Sequence, residues 1–175
     1  MNFKCIETVK YPLELTWQTL RDHLPEIAAS QGDIEYVKVE KRVKKAPNSV
    51  NVVSTWKAAP ELPGFLLNFI KPEMLIWRDT AVWNNATHTC DFDIETHYKV
   101  EDISCIGKIQ LEAVGTKSTR IIYSGVFTIT KTAKSSIFMN SFVIRGIEAL
   151  AAKLIAHNFS KTPEALGRKI KDLSK

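Results

Sequence analysis

The sequence predicts an α+β fold: seven antiparallel strands, two short helices after the first strand, and one long C-terminal helix. Apolar and polar residues alternate with period two through most of residues 34–130, the mark of half-buried strands. Beyond about residue 136 the apolar spacing changes to the three-and-four rhythm of a helix face. A Pro-led segment between the first two strands carries the same helical rhythm.

The elements follow in order. Residues 2–9 alternate around Phe3 and Cys5 as a first strand. "YPLELTWQTLRDHLPEIAASQGD" then sets Leu13, Trp17 and Leu20 on one helical face, Pro25 divides the segment into two short helices, and Gly32 ends the second. Strands are expected at 34–43, 49–57, 74–83, about 87–99, 103–113 and 119–130, with turns at "KKAPNS", "NNAT", "KVED" and "GTKS". The clearest is "THTCDFDIETHYK", where Cys90, Phe92, Ile94, Thr96 and Tyr98 share a dry phase and Asp91, Asp93, Glu95, His97 and Lys99 a wet one. The last strand is less clean, because Ile122 and Val126 occupy its wet face. Ser135 or Ser136 can cap a helix to about residue 158, with the stripe Met139, Val143, Ile147, Leu150 and Leu154. Thr162-Pro163-Glu164 reads as the cap and first turn of a separate final helix, "PEALGRKIKDL".

Length and composition set bounds. At 175 residues and 45% hydrophobic, the chain fits one globular domain over residues 1–175, with a sizeable core. It shows no uncharged 18-residue apolar run and no secretory pattern in "MNFKCIETVK", so the expected compartment is cytoplasmic. Cys5, Cys90 and Cys105 are far apart and lack CxxC spacing, which points to buried reduced thiols. The net charge of +5 is uneven: nine Lys and Arg against three Asp and Glu from Lys131 onward leave −1 for the first 130 residues. Such a tail allows transient contact with an anionic membrane. Without a docking motif or an arginine-aromatic cluster, nucleic acid is not an expected partner.

One stretch resists the strand-and-helix scheme. "LPGFLLNFIKPEMLIW", residues 62–77, carries Phe65, Leu66, Leu67, Phe69 and Ile70 between a Pro-Gly and a Lys-Pro break. Leaving five large apolar side chains in water would forgo on the order of 10 kcal/mol, so something must cover them. About sixteen residues separate Trp56 from Met74, whereas a plain hairpin needs only about 2–5.

The order of strand, two short helices, antiparallel run and long helix resembles the helix-grip fold of the START and Bet v 1-like superfamily. The resemblance runs from "FKCIETVKYPLELTWQTLRD" to "FMNSFVIRGIEALAAKLI" and rests on element order rather than an invariant motif. The glycine-rich loop of the plant allergen branch is absent, with "KKAPNS" in its place. The resemblance implies a curved sheet wrapped around the long helix, an apolar cavity between them, and a hydrophobic or amphipathic ligand such as a lipid, isoprenoid or polyketide. It also implies a lid at residues 62–72 carrying Phe65, Leu66 and Phe69; a fixed plug at the open end of the sheet is the competing reading.

Residues expected to line that cavity are Trp77, Trp83, Phe92, Ile94, Tyr98, Ile109, Leu111, Tyr123 and Phe127 from the strands, with Asn140, Val143 and Ile147 from the helix. Alternation alone fits a solid core equally well. Asp79 shares the phase of Leu75, Trp77, Ala81 and Trp83, so its carboxylate points inward and must be paired or have its pKa raised. It is the best ligand anchor or acid-base group, unless a buried partner holds it structurally. The acidic members of "HTCDFDIETH" lie on a wet face about 6–7 Å apart and form no metal shell by themselves. No GxSxG, HExxH, Walker loop or GxGxxG is present. The sequence thus favours binding without obligatory chemistry, cofactor or metal. A cyclase or aromatase-type enzyme using Asp79 and a tyrosine is the alternative, and a membrane-surface or protein-interaction module the third reading.

Overall fold

In the computed structural model the alternating segments form β1 (Asn2–Val9), β2 (Ile34–Ala46), β3 (Ser49–Ala58), β4 (Ile76–Asn84), β5 (Thr89–Thr96), β6 (Ile103–Ala113) and β7 (Thr119–Ile129). The structure describes residues 1–61, 64, 72–96, 103–129 and 141–175, with side chains of the last stretch from residue 144. The strands make one antiparallel sheet of order β1-β7-β6-β5-β4-β3-β2, so β2 to β7 pair in chain order and β1 closes onto β7. Every expected strand forms within a few residues of its expected bounds. The "KVED" turn lies outside the described residues.

Register turns the period-two pattern into rows across the inner face. One row runs Val50, Trp83, Cys90, Ile109, Tyr123 and Cys5. The next runs Val52, Ala81, Phe92, Gly107, Gly125 and Phe3. A third runs Ser54, Asp79, Ile94, Cys105 and Phe127. In the middle row two paired glycines lie beneath phenylalanine rings. A Cβ on Gly107 would stand 2.4 Å from Phe92 Cζ and 2.5 Å from the Ser124 carbonyl oxygen; one on Gly125 would stand 2.6 Å from Phe3 Cζ and 2.6 Å from the Ile106 oxygen. Without side chains, the strands bend closely there and the rings fold down onto them. On the outer face Ile6, Ile106 and Val126 are exposed, Val126 as the irregular phase of β7 anticipates.

α1 (Leu13–Ala29) holds both helices expected after β1, joined at a kink. The break falls at His23 (φ −123°, ψ 21°), two residues before Pro25. Pro25 cannot donate to the Arg21 carbonyl and its ring crowds that turn, so the chain gives way just upstream. Trp17, Leu20 and Ile27 form the buried face. The β4–β5 turn docks onto this helix. Trp17 Nε1 donates to Asn85 Oδ1 at 3.0 Å, Arg21 Nη1 donates to the same oxygen at 2.7 Å, and Trp17 packs on Trp83 with ring centroids 5.3 Å apart. Asn85→Ala removes both bonds and leaves the buried indole N–H unmet, a loss of about 1–3 kcal/mol. Urea unfolding monitored by tryptophan fluorescence should show the midpoint fall with an unchanged slope.

The C-terminal region departs from expectation. Instead of a helix to residue 158 and a second after Thr162, one helix, α2, runs Ser141–Leu173 through Pro163. The expected cap at Ser135 or Ser136 lies outside the described residues. Thr162 does not cap a new helix: its hydroxyl donates to the Asn158 carbonyl oxygen at 2.9 Å, one turn back in the same helix. Pro163 forfeits one backbone bond, a cost of about 3 kcal/mol in a helix interior, but the buried face continues beyond it. Ile147, Leu150, Leu154, Asn158, Thr162, Leu166 and Ile170 succeed one another at three- and four-residue steps, and Leu166 and Ile170 are fully buried. Packing of that stripe against the sheet and α1 outweighs the proline.

Candidate functional site

Between the inner face of the sheet and α2 lies a cavity of about 300 Å³, at the lower end of the range that holds small-molecule ligands, about 300–1,000 Å³. Its sheet wall is supplied by the three rows, above all Trp83, Phe92, Ile94, Ile109 and Phe127, with Trp77 beside them. The helix wall is Ile147, Leu150, Ala151, Leu154 and Ile155. Met74 and Leu75, from the one-turn 3₁₀ helix Pro72–Leu75 that leads into β4, also reach the cavity. No Lys, Arg or His lines it among the described residues.

Of the residues expected on this wall, Trp77, Asp79, Trp83, Phe92, Ile94, Ile109, Tyr123, Phe127 and Ile147 are there. Leu111 is not: it is buried but pairs with the fully buried Ile121, where the sheet is packed solid and the void does not reach. Phe65, Leu66, Phe69, Tyr98 and Asn140 lie outside the described residues, as does the side chain of Val143.

Asp79 is the one carboxyl on the wall among the described residues. It is 6% exposed, faces Ser54 across β3–β4, and is flanked in its row by Ile94. Burial, reinforced by the charge of Asp93 on the opposite face, pushes its pKa from 3.8 to about 7; hydrogen bonding from Trp56 and Ser54 offsets this only in part. Trp56 Nε1 also donates to Ser54 Oγ at 3.0 Å, and Asp79 Oδ1 has no partner among the described residues. The group is therefore near half-protonated at neutral pH, able to give or take a proton or to bind a polar group. The neighbouring thiols are inert by contrast. Burial and the Asp79 charge raise Cys105 to about 11 and Cys90 well above its ordinary value, so both stay protonated.

A second polar locus lies where α2 crosses β7 and the end of α1. Tyr123 is 2% exposed, its ring stacked on Phe159 with centroids 3.9 Å apart. Gln31 Nε2 donates to Thr162 Oγ1 at 3.1 Å, and Thr162 in turn donates to the Asn158 carbonyl. Burial drives the Tyr123 pKa far up, and hydrogen bonding with Thr162 offsets this only in part. Thr162 Oγ1 donates to Asn158 and accepts from Gln31, and so keeps one lone pair for the Tyr123 hydroxyl, which has no other partner among the described residues. Asn158 Oδ1 is buried and has no partner among the described residues. Tyr123, Asn158, Thr162 and Gln31 all line the cavity. Sequence reasoning reached Tyr123 but missed the other three. Asn158 and Thr162 continue the Leu150–Leu154 stripe by steps of four, a signal hidden by ending the helix at 158.

No protein-family model matches the sequence, and no curated protein matches it. Solved structures match throughout. A Thermus thermophilus protein, TTHA0849, superimposes with a TM-score of 0.71 at 16% identity, covering 100% of both chains. The Zhui aromatase/cyclase from Streptomyces sp. R1128 gives 0.65 at 13% identity over 100% of this chain and 96% of that one. A START superfamily protein from Mycobacterium smegmatis gives 0.56 at 9% identity over 95% and 97%. The chain has the START/Bet v 1-like fold, a curved antiparallel sheet gripping a long C-terminal helix.

Proposed function

We propose that this protein binds a hydrophobic or amphipathic small molecule in the cavity between the sheet and α2. The observation that carries the reading is the void itself. An unfilled volume of about 300 Å³ among Trp, Phe, Ile and Leu side chains forfeits dispersion contacts that a solid core would make, and an apolar occupant restores them. Trp77, Trp83, Phe92, Ile94, Ile109, Tyr123, Phe127 and Ile147, which line the cavity, contact the ligand in this reading. Phe65, Leu66 and Phe69 serve as a cover over the cavity in the same reading, with transient docking on an anionic membrane. Native mass spectrometry of freshly purified protein, followed by denaturing extraction, should reveal a mass above that of the chain that is released as an organic molecule. A bare chain whose tryptophan fluorescence no apolar compound perturbs would refute the reading, because Trp56, Trp77 and Trp83 all line the cavity.

A second reading, an acid-base enzyme of the cyclase or aromatase type, is favoured by one observation. Asp79 places a proton-exchanging group with a pKa of about 7 against the bound molecule. Tyr123, held neutral by burial, would serve there only as a hydrogen-bond donor or acid. In that case Asp79→Asn abolishes turnover while ligand is retained; in the pure binding reading only affinity changes.

A further inference from the structure

We infer that the occupant of this cavity carries a protonated amine that pairs with Asp79; the inference rests on the binding function proposed above and names the head group that the site selects. Asp79 lines the cavity while only 6% exposed, and its Oδ1 meets no donor among the described residues. The donors around it are few. The Trp56 N–H is directed to Ser54 Oγ at 3.0 Å, which leaves Asp79 the single hydroxyl hydrogen of Ser54 and a share of that N–H. A carboxylate can accept about four hydrogen bonds. No Lys, Arg or His lines the cavity among the described residues. An ionised Asp79 therefore lacks both a donor at Oδ1 and a counter-charge, and an ammonium group brings both at once.

The protein's own charges supply no substitute. Arg21 and Arg42 border a narrow crevice that Asp79 also lines, but Arg21 donates to Asp22 and Asn85, and Arg42 to Asp22. Asp93, on the outer face of β5, opposes ionisation of Asp79, while Cys90, Cys105 and Tyr123 stay neutral. Among the described residues α2 presents only uncharged side chains to the cavity. Other head groups complement the site less well. A hydroxyl can donate to Oδ1 but brings no charge, a carbonyl or ether oxygen can meet only the protonated acid, and a carboxylate or phosphate meets like charge. The cavity selects an apolar amine over the alcohol, ether or acid built on the same body.

The test compares decylamine, 1-decanol and decanoate by titrating the tryptophan fluorescence of the full chain at pH 8. An alkylamine, like a lysine side chain, keeps its charge there, with a pKa of about 10. The expected result is that decylamine binds about tenfold tighter than 1-decanol, and decanoate weakest. Lowering the pH to 5 protonates Asp79, whose pKa stands at about 7. The amine's advantage over the alcohol should then fall to less than about threefold, while the alcohol's own affinity changes little. Asp79→Asn should hold the advantage below about threefold at both pH values, and its binding of 1-decanol reports an intact cavity. If that variant does not fold, the pH series on the unaltered protein decides alone. Equal affinity of amine and alcohol for the unaltered protein at pH 8 overturns the inference and leaves the binding function standing. So does an advantage that ignores pH or survives Asp79→Asn, which would put the nitrogen elsewhere, and so does a preference for decanoate. If none of the three binds, the cavity-binding reading fails, and the amine with it.

Discussion

Gly107→Ala is expected to cost about 3 kcal/mol or more, a large value for adding one methyl group to a strand. The added carbon would lie 2.5 Å from the Ser124 carbonyl oxygen and 2.4 Å from Phe92 Cζ. The ring can swing into the cavity, but the carbonyl belongs to the β6–β7 ladder and moves only with the sheet. For a chain of this size the melting temperature should fall by about 6–12 °C. Combining the change with Phe92→Leu discriminates between the two contacts. Partial recovery is expected, because the backbone contact persists; full recovery would show that the ring alone made the position intolerant and that the bend in the strand does not depend on glycine.

Asp79→Asn should stabilise the protein at high pH and do so in a way that reports the buried ionisation. The carboxyl's pKa stands at about 7 in the folded protein against 3.8 for the ordinary group. Between these values the folded state holds a proton that the unfolded chain has lost, so stability falls as pH rises through that window and levels off above it. At about 1.4 kcal/mol per unit, the penalty reaches roughly 4 kcal/mol by pH 8. Asparagine cannot ionise and escapes it, although its amide must find partners beside Ser54 and Trp56. The stability difference between the two proteins should therefore swing by about 4 kcal/mol between pH 4 and pH 8 in parallel denaturant titrations. A difference flat across that range would mean that Asp79 ionises freely and that its carboxylate reaches solvent.

The wall of the cavity was legible because β residues on one face share a parity. Trp83, Phe92, Ile109, Tyr123 and Phe127 could be assigned to the inner face from alternation alone, and the same parity exposed Asp79 as the inward carboxyl. The helix wall was legible as far as Leu154. Beyond it, Thr162-Pro163 imitates a helix start so well that local chemistry points to a break, and only burial of Leu166 and Ile170 against the rest of the core carries the helix through. The polar stretch of the helix wall was lost with that misreading, since Asn158 and Thr162 look like a helix end and a cap rather than like the middle of a stripe that lines the cavity. Leu111 failed for the opposite reason: its parity is right, but parity does not say where along a strand the packing opens.

The sequence by itself determined the element order, the strand parity, the α+β class and the need for a cover over residues 65–70, because each follows from the spacing of apolar side chains along the chain. Only the tertiary structure decided whether the interior is solid or hollow, since volume depends on how rows from different strands meet the helix. It alone placed Gly107 against Gly125, letting Phe3 and Phe92 lie down on the sheet. It alone stacked Tyr123 of β7 on Phe159 of α2, 36 positions apart in the chain, and put Asn158 and Thr162 on the same cavity wall. Those are long-range coincidences of geometry. Periodicity fixes which way a side chain points, but what it meets there depends on the strands and helix that fold across from it.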